Sequence, residues 1–271
     1  DEDSLSGQLD NHDVGVIDLA VIRFPRISNF TDFNVFERLE GVSVRYVSSV
    51  QELGQPDMIF LPGSKNTMGD LHWMRQNGLE TAVKKLAVHI PVWGICGGYQ
   101  MLGRTISDPH GVENENSLRE PLYPAHCEAI SHEPDTIAVE RIKRDGALPL
   151  RGMELIDTDT TLMPEKMRTQ TRGKFENVTG IFSTLSGLEF SGYEIHMGET
   201  VLKENAGHCV SIEDHVSGSR KEDGAYCKNV CGTYVHGVFD KEDVAEAVVR
   251  ALGEKKGLDV SEMTGVDFAA F

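Results

Sequence analysis

The chain has 271 residues, 39% of them hydrophobic and 25% charged, enough to bury one large core or two small ones. Its formal charge of −17 excludes a nucleic-acid partner, because no basic stripe of the needed size is present. No apolar run is long enough to cross a bilayer, the acidic start Asp1-Glu2-Asp3 does not look like a signal peptide, and five cysteines in no framework spacing predict reduced thiols in a cytoplasmic protein.

Residues 1–14 are polar and read as a linker or solvated arm. Ile17–Phe24 is a near-continuous apolar strand of the kind found in parallel sheets covered on both faces. After Pro25, Ser28 or Asn29 is placed to cap a helix with Phe33, Phe36 and Leu39 at helical spacing, ended by Gly41. Val42–Val47 and Asp57–Pro62 read as further strands, 67–88 as a helical stretch interrupted at Gly78, and Ile90–Ile95 as a fourth strand. Strands and helices alternating at this spacing predict βαβ units in a doubly wound α/β sheet, whose chemistry sits at the carboxyl ends of the strands.

A helix near 98–106 comes next, and then 107–150 reads as an irregular insertion whose His110, His126 and His132 are solvated rather than ligands. Met153–Ile156 reads as a strand with a polar continuation, and 174–184 and 190–196 alternate as antiparallel strands do. The polar stretch 203–228 reads as a surface hairpin and Val230–Val235 as the last strand. A helix from about Asp240 to Lys256 carries acids in its first turn and lysines in its last, as the helix dipole prefers. No structure is assigned to the tail 258–271. Cys227 and Cys231 with His236 do not make a zinc signature, and no metal site is expected.

Gly94-Ile95-Cys96-Gly97-Gly98 joins the fourth strand to a helix in the form of a nucleophile elbow, with cysteine in place of serine. A free cysteine is usually a small buried hydrophobe. Here the flanking glycines favour a sharp turn that pushes the side chain out of the sheet, beside helix N–H groups that stabilise thiolate. A cysteine nucleophile needs a base, and His236 stands at the end of a later strand, again at the active edge.

Five motifs, in order, carry a resemblance. They are Pro25-Arg26-Ile27-Ser28-Asn29-Phe30-Thr31-Asp32-Phe33, Leu61-Pro62-Gly63-Ser64-Lys65-Asn66-Thr67, Gly94–Gln100, Gly192-Tyr193-Glu194-Ile195-His196-Met197-Gly198 and Gly232–Gly237. Together they resemble the carboxyl-terminal class I glutamine amidotransferase domain of cobyric acid synthases, from about residue 15 to 257. The resemblance implies a flavodoxin-like, mostly parallel sheet flanked by helices, with an antiparallel extension. It also implies a glutaminase that supplies ammonia to an ATP-dependent synthetase amidating carboxylates of adenosylcobyrinic acid a,c-diamide. The chain contains no G-x-x-x-x-G-K-[ST] loop, so ATP, magnesium and the corrinoid are expected on a synthetase domain or subunit outside it, and no cofactor on the chain itself.

By the same resemblance Cys96 forms a γ-glutamyl thioester and His236 moves the proton. The backbone amides of Gly63 and Gly97 hold the oxyanion, Gln100 holds the amino-acid end of glutamine, and Glu194 and His196 shape the pocket. Class I enzymes usually orient the histidine with a glutamate two residues later, but position 238 is Val. The third member is left open between Asp240, Glu194, a partner residue or none, and without an orienting carboxylate the isolated chain is expected to be a weak glutaminase. Rival readings are an ammonia-supplying subunit for a ligase that amidates lipid-linked cell-wall precursors, a non-catalytic module of the same fold and a cysteine hydrolase unrelated to glutamine.

Overall fold

A computed structural model describes residues 15–113 and 149–259. The sequence expectations for the arm 1–14, for 114–148 within the insertion and for 260–271 lie outside these residues.

The strands are, in order, β1 (Ile17–Ile22), β2 (Ile27–Ser28), β3 (Val42–Val47), β4 (Met58–Leu61), β5 (Gly63–Ser64), β6 (Val92–Ile95), β7 (Thr105–Ser107) and β8 (Leu150–Arg151). They continue with β9 (Thr158–Phe175), β10 (Glu189–Leu202), β11 (Val210–Asp214), β12 (Arg220–Asp223), β13 (Ala225–Cys227), β14 (Val230–Thr233) and β15 (Val235–His236). The longer helices are α1 (Thr67–Gln76), α2 (Leu79–Leu86), the short α3 (Gly97–Leu102) and α4 (Glu242–Lys256).

A six-stranded sheet runs in the order β13-β14-β6-β4-β1-β3 and is parallel apart from the edge strand β13. Strands β1, β4 and β6 are buried along their whole length, as their unbroken apolar runs require of a sheet covered on both faces. α1 packs on α2 and α3, while α4 packs on β1 and on a 3-10 segment, Gly180–Leu185. α4 carries Glu242 and Asp243 in its first turn and Lys255 and Lys256 in its last, as the sequence predicts.

The antiparallel extension is a second sheet, β12-β11-β9-β10-β15, in which the long ribbon of β9 and β10 pairs from Lys174 and Glu189 to Thr158 and Leu202. This corrects three sequence expectations. Met153–Ile156 lies before the strand instead of within it, 174–184 leaves the sheet for the 3-10 turn, and the helix expected to reach 106 stops at Leu102 so that Thr105–Ser107 can pair with β9. Residues 203–228 contribute β11, β12 and β13 in place of a plain hairpin. The helix expected after Ser28 is a 3-10 turn, Phe30–Phe33, and one α-turn, Asn34–Glu37, because the Asn29 side chain makes no capping bond there.

No helix among the described residues is long and apolar enough to cross a membrane.

Candidate active site

The turn after β6 holds Cys96 at φ 51 and ψ −108, a backbone region that L-residues rarely adopt. The flanking glycines make it possible. A Cβ on Gly94 would stand 2.7 Å from the Gly98 carbonyl group, and one on Gly98 would run into the carbonyl of Leu61. Any larger residue at either position would push α3 off the sheet. The elbow expected from the sequence is therefore present, with Cys96 almost wholly enclosed.

His236 comes from β15, which pairs with β10 so that Tyr193 lies opposite it, the two rings stacked at 5.2 Å and 25°. The Cys96 sulfur is near enough to the imidazole to favour its protonated form. His236 Nδ1 faces Asp32 Oδ2 at 2.8 Å, and Asp32 Oδ1 accepts the Gly237 N–H at 2.9 Å, so one buried carboxylate fixes both the ring and the backbone that carries it. Burial disfavours charge on the imidazole, but Asp32 and the Cys96 sulfur outweigh it and raise its pKa to about 10. Asn29 Nδ2 lies 3.0 Å from the other ring nitrogen, Nε2.

The orienting carboxylate is thus Asp32, and neither sequence candidate takes that place. Asp240 sits behind Gly237, where a Cβ on that glycine would meet its carboxylate at 2.8 Å; burial is the main reason its own pKa is raised. Glu194 is fully buried and serves His196 Nε2 at 3.3 Å and Lys221 Nζ at 2.9 Å. Its burial penalty is outweighed by those two partners, and its pKa is lowered. His196 also bonds the Gly198 carbonyl at 2.9 Å and stacks on Tyr234 at 3.8 Å.

A cavity of about 560 Å³, the size of a small-molecule site, opens over Cys96 and is lined also by Asn29, Ser64, Gln100, Glu113 and His196. Gln100 is buried and fixed from both ends, its Oε1 accepting from Thr67 Oγ1 at 3.0 Å and its Nε2 donating to Tyr234 OH at 3.3 Å. Glu113 closes the start of α1 by accepting the Thr67 and Met68 N–H groups at 2.9 and 2.8 Å.

One oxyanion candidate moves by a residue. β2 and β5 pair antiparallel, and the Lys65 N–H to Arg26 carbonyl bond of 2.9 Å sets the alternation. Ser28 and Gly63 then form a hydrogen-bonded pair, with the Gly63 N–H turned to the Ser28 carbonyl. Ser64, the next residue, has its N–H directed away from β2, and its nitrogen lies 2.9 Å from where a Cβ on Gly97 would be. Gly97, first residue of α3, has no intrahelical acceptor for its own N–H.

Of the sequence candidates, Cys96, Gln100 and His196 line the cavity, His236 and Gly97 lie beside Cys96 without lining it, and Glu194 and Asp240 stand farther back. Sequence reasoning missed Asp32, Asn29, Ser64, Thr67 and Glu113. The first four lie inside motifs it had singled out; nothing in the pattern marked Glu113. Among the described residues no group of three His, Cys, Asp or Glu side chains is arranged to hold a metal ion, and His110 is exposed.

Residues 18–122 and 136–244 match the model of the CobB/CobQ-like glutamine amidotransferase domain. The chain belongs to that family. It is 46% identical over 268 residues to cobyric acid synthase of Ruminiclostridium cellulolyticum, covering 97% of this chain and 46% of the relative, and 38% identical over 283 residues to that of Lachnoclostridium phytofermentans, covering 100% and 48%. The chain therefore spans about half the length of the curated relatives it matches. Among solved structures it is similar to PurLQS from Thermotoga maritima, with a TM-score of 0.56 at 15% identity over 89% of this chain and 99% of that one. A solved glutamine amidotransferase gives a TM-score of 0.52 at 12% identity, over 88% and 100%. The mostly parallel sheet and elbow are the fold that amidotransferase-domain family membership implies.

Proposed function

We propose that this chain is the glutamine-hydrolysing domain of a cobyric acid synthase. The observation that carries the reading is the Asp32–His236 pair set behind Cys96, whose side chain opens into a cavity of about 560 Å³. The raised imidazole pKa favours a pair in which His236 holds the proton and Cys96 is thiolate, and the thiolate attacks the side-chain carboxamide carbon of L-glutamine. The tetrahedral oxyanion is held by the N–H groups of Gly97 and Ser64. His236, its ring oriented by Asp32, then gives the proton to the departing nitrogen, and ammonia leaves a γ-glutamyl thioester. A water deprotonated by His236 attacks the thioester carbonyl and releases glutamate and the Cys96 thiol. Gln100 and Thr67 shape the end of the cavity that receives the amino-acid group.

Ammonia then serves an ATP-dependent synthetase domain or subunit outside this chain, which holds ATP, magnesium and the corrinoid and amidates carboxylates of adenosylcobyrinic acid a,c-diamide in cobalamin biosynthesis. The name shared by the relatives supports this branch over the cell-wall ligase partner. Incubation with L-glutamine is expected to yield ammonia and glutamate in equal amounts, with Cys96→Ala lowering the rate by about 10⁴-fold or more. A glutamine-analogue electrophile should label Cys96. Hydrolysis that survives Cys96→Ala would sink the reading.

A further inference from the structure

Asp70 is fully buried in the first turn of α1, a costly place for a carboxylate, and the usual duty of an acid at that position is already filled. An acid there normally serves the free N–H groups of the helix start. Here all four are taken. Glu113 accepts from Thr67 and Met68, the Asn66 side chain accepts from Gly69 at 2.7 Å, and the Asn66 carbonyl accepts from Asp70 at 3.0 Å. The Asp70 carboxylate turns instead to a residue of the cavity wall, with its Oδ2 2.6 Å from Ser64 Oγ.

Donor and acceptor are fixed in this contact. Ser64 Oγ accepts the Asn66 N–H at 2.9 Å, so its own hydrogen is left to donate. Burial raises the Asp70 pKa to about 6, against the Ser64 hydrogen bond and the charge of Arg26, and above that pH the carboxylate only accepts. The hydroxyl is therefore held from two sides, by the backbone two residues on and by the first turn of α1. The chain on either side of Ser64 is tied down as well. The Gly98 N–H donates to the Pro62 carbonyl at 3.0 Å, and the Lys65 N–H to the Arg26 carbonyl at 2.9 Å. Between these bonds the Ser64 N–H points away from β2, toward the Gly97 side.

We propose that Asp70 is a positioning residue for the oxyanion site: through the Ser64 hydroxyl it holds the Ser64 N–H, beside that of Gly97, where the glutamine oxyanion will form. This rests on the glutaminase reading. An oxyanion donor counts in the tetrahedral state, and a donor aimed slightly wrong loses a bond that matters only there. Among the described residues, the side chains of Cys96 and His236 meet Ile195, Asp32 and Asn29, not Asp70. Asp70 thus acts on the tetrahedral step and not on the supply of thiolate.

The test compares two rates in the whole chain at about pH 8, above the Asp70 pKa. One is steady-state hydrolysis of L-glutamine; the other is alkylation of Cys96 by iodoacetamide, a displacement that forms no oxyanion. Asp70→Asn keeps the size and removes the charge that grips the hydroxyl, while Ser64→Ala removes the hydroxyl and keeps the N–H. Each is expected to lower kcat roughly tenfold, less than the ~10²–10³ that loss of a whole donor costs, with KM and the alkylation rate within about twofold of wild type. The double variant should be no slower than the slower single one, because both cut the same bond. Should one variant fail to fold, the other still reports on that bond. A folded single variant with wild-type kcat, losses that multiply in the double variant, or alkylation that slows in step with kcat would each overturn the proposal. A wild-type chain that makes no ammonia from glutamine would instead remove the glutaminase reading, so the two failures are told apart.

Discussion

At the scale of single residues, the site turns on which carboxylate reaches His236. Asp32 bonds both the ring and the Gly237 N–H, whereas Asp240 stands on the far side of that glycine. Asp32→Asn is expected to lower the kcat of glutamine hydrolysis by about 10²- to 10⁴-fold through the wrong tautomer and orientation, while Asp240→Asn stays within roughly twofold. The same pair ties stability to pH. Burial opposes the imidazolium, Asp32 and Cys96 overcome it, and the folded pKa stands at about 10 against an ordinary 6.5. A raised pKa means that the native state binds the proton more tightly, so the stabilisation is complete below 6.5 and is lost as pH rises through about 10. Urea midpoints should therefore fall more between pH 6.5 and 10 in the wild type than in Asp32→Asn; parallel slopes would refute it. The weak activity expected from a missing carboxylate loses its reason, since Asp32 is present.

At the scale of elements, the site is a junction of three short pieces. The elbow between β6 and α3 presents the sulfur, the β2–β5 ribbon brings Ser64 and Asn29 over it, and β15 carries the imidazole in register with Tyr193 on β10. The elbow is also pressed against the end of β4, where a Cβ added to Gly98 would run into the Leu61 carbonyl oxygen. Gly98→Ala is expected to cost about 3 kcal/mol in urea unfolding, because backbone cannot give way as the far end of a side chain can. An alanine variant as stable as wild type would show that α3 is free to shift. The elbow was legible in the sequence because its glycines are adjacent to the cysteine they serve. The β2–β5 ribbon was not, since two-residue strands carry no periodicity and the pairing of Gly63 with Ser28 joins segments 35 positions apart.

Across the whole molecule, the two sheets share an aromatic seam. Trp93 on β6 meets Phe239 at 5.1 Å in the first layer, and Phe175 at 6.1 Å and Phe182 at 5.1 Å where the chain leaves the second sheet. Phe175 in turn packs on Phe190 of β10 at 5.0 Å. Trp93→Ala is expected to cost about 3–5 kcal/mol, and the wild type to lose tryptophan fluorescence and far-UV signal in a single transition. Two separated transitions would mean that the extension folds apart from the parallel sheet. The acidic surface, with a formal charge of −17, does not set this architecture; burial along the seam does.

The sequence by itself determined what is written locally: the buried parallel strands, the glycine-flanked Cys96, the charged ends of the last helix and a histidine at a strand end. Five ordered motifs were enough for the amidotransferase resemblance. Only the tertiary structure decided the contacts between residues far apart in the chain, and these include the catalytic geometry. Asp32 and Asn29 stand 204 and 207 positions from His236, and no pattern of spacing encodes a hydrogen bond across that distance. The bond exists because packing of the parallel sheet closes the loop after β1 over the end of β15, which places Asp32 against the ring and leaves Asp240 beside Gly237.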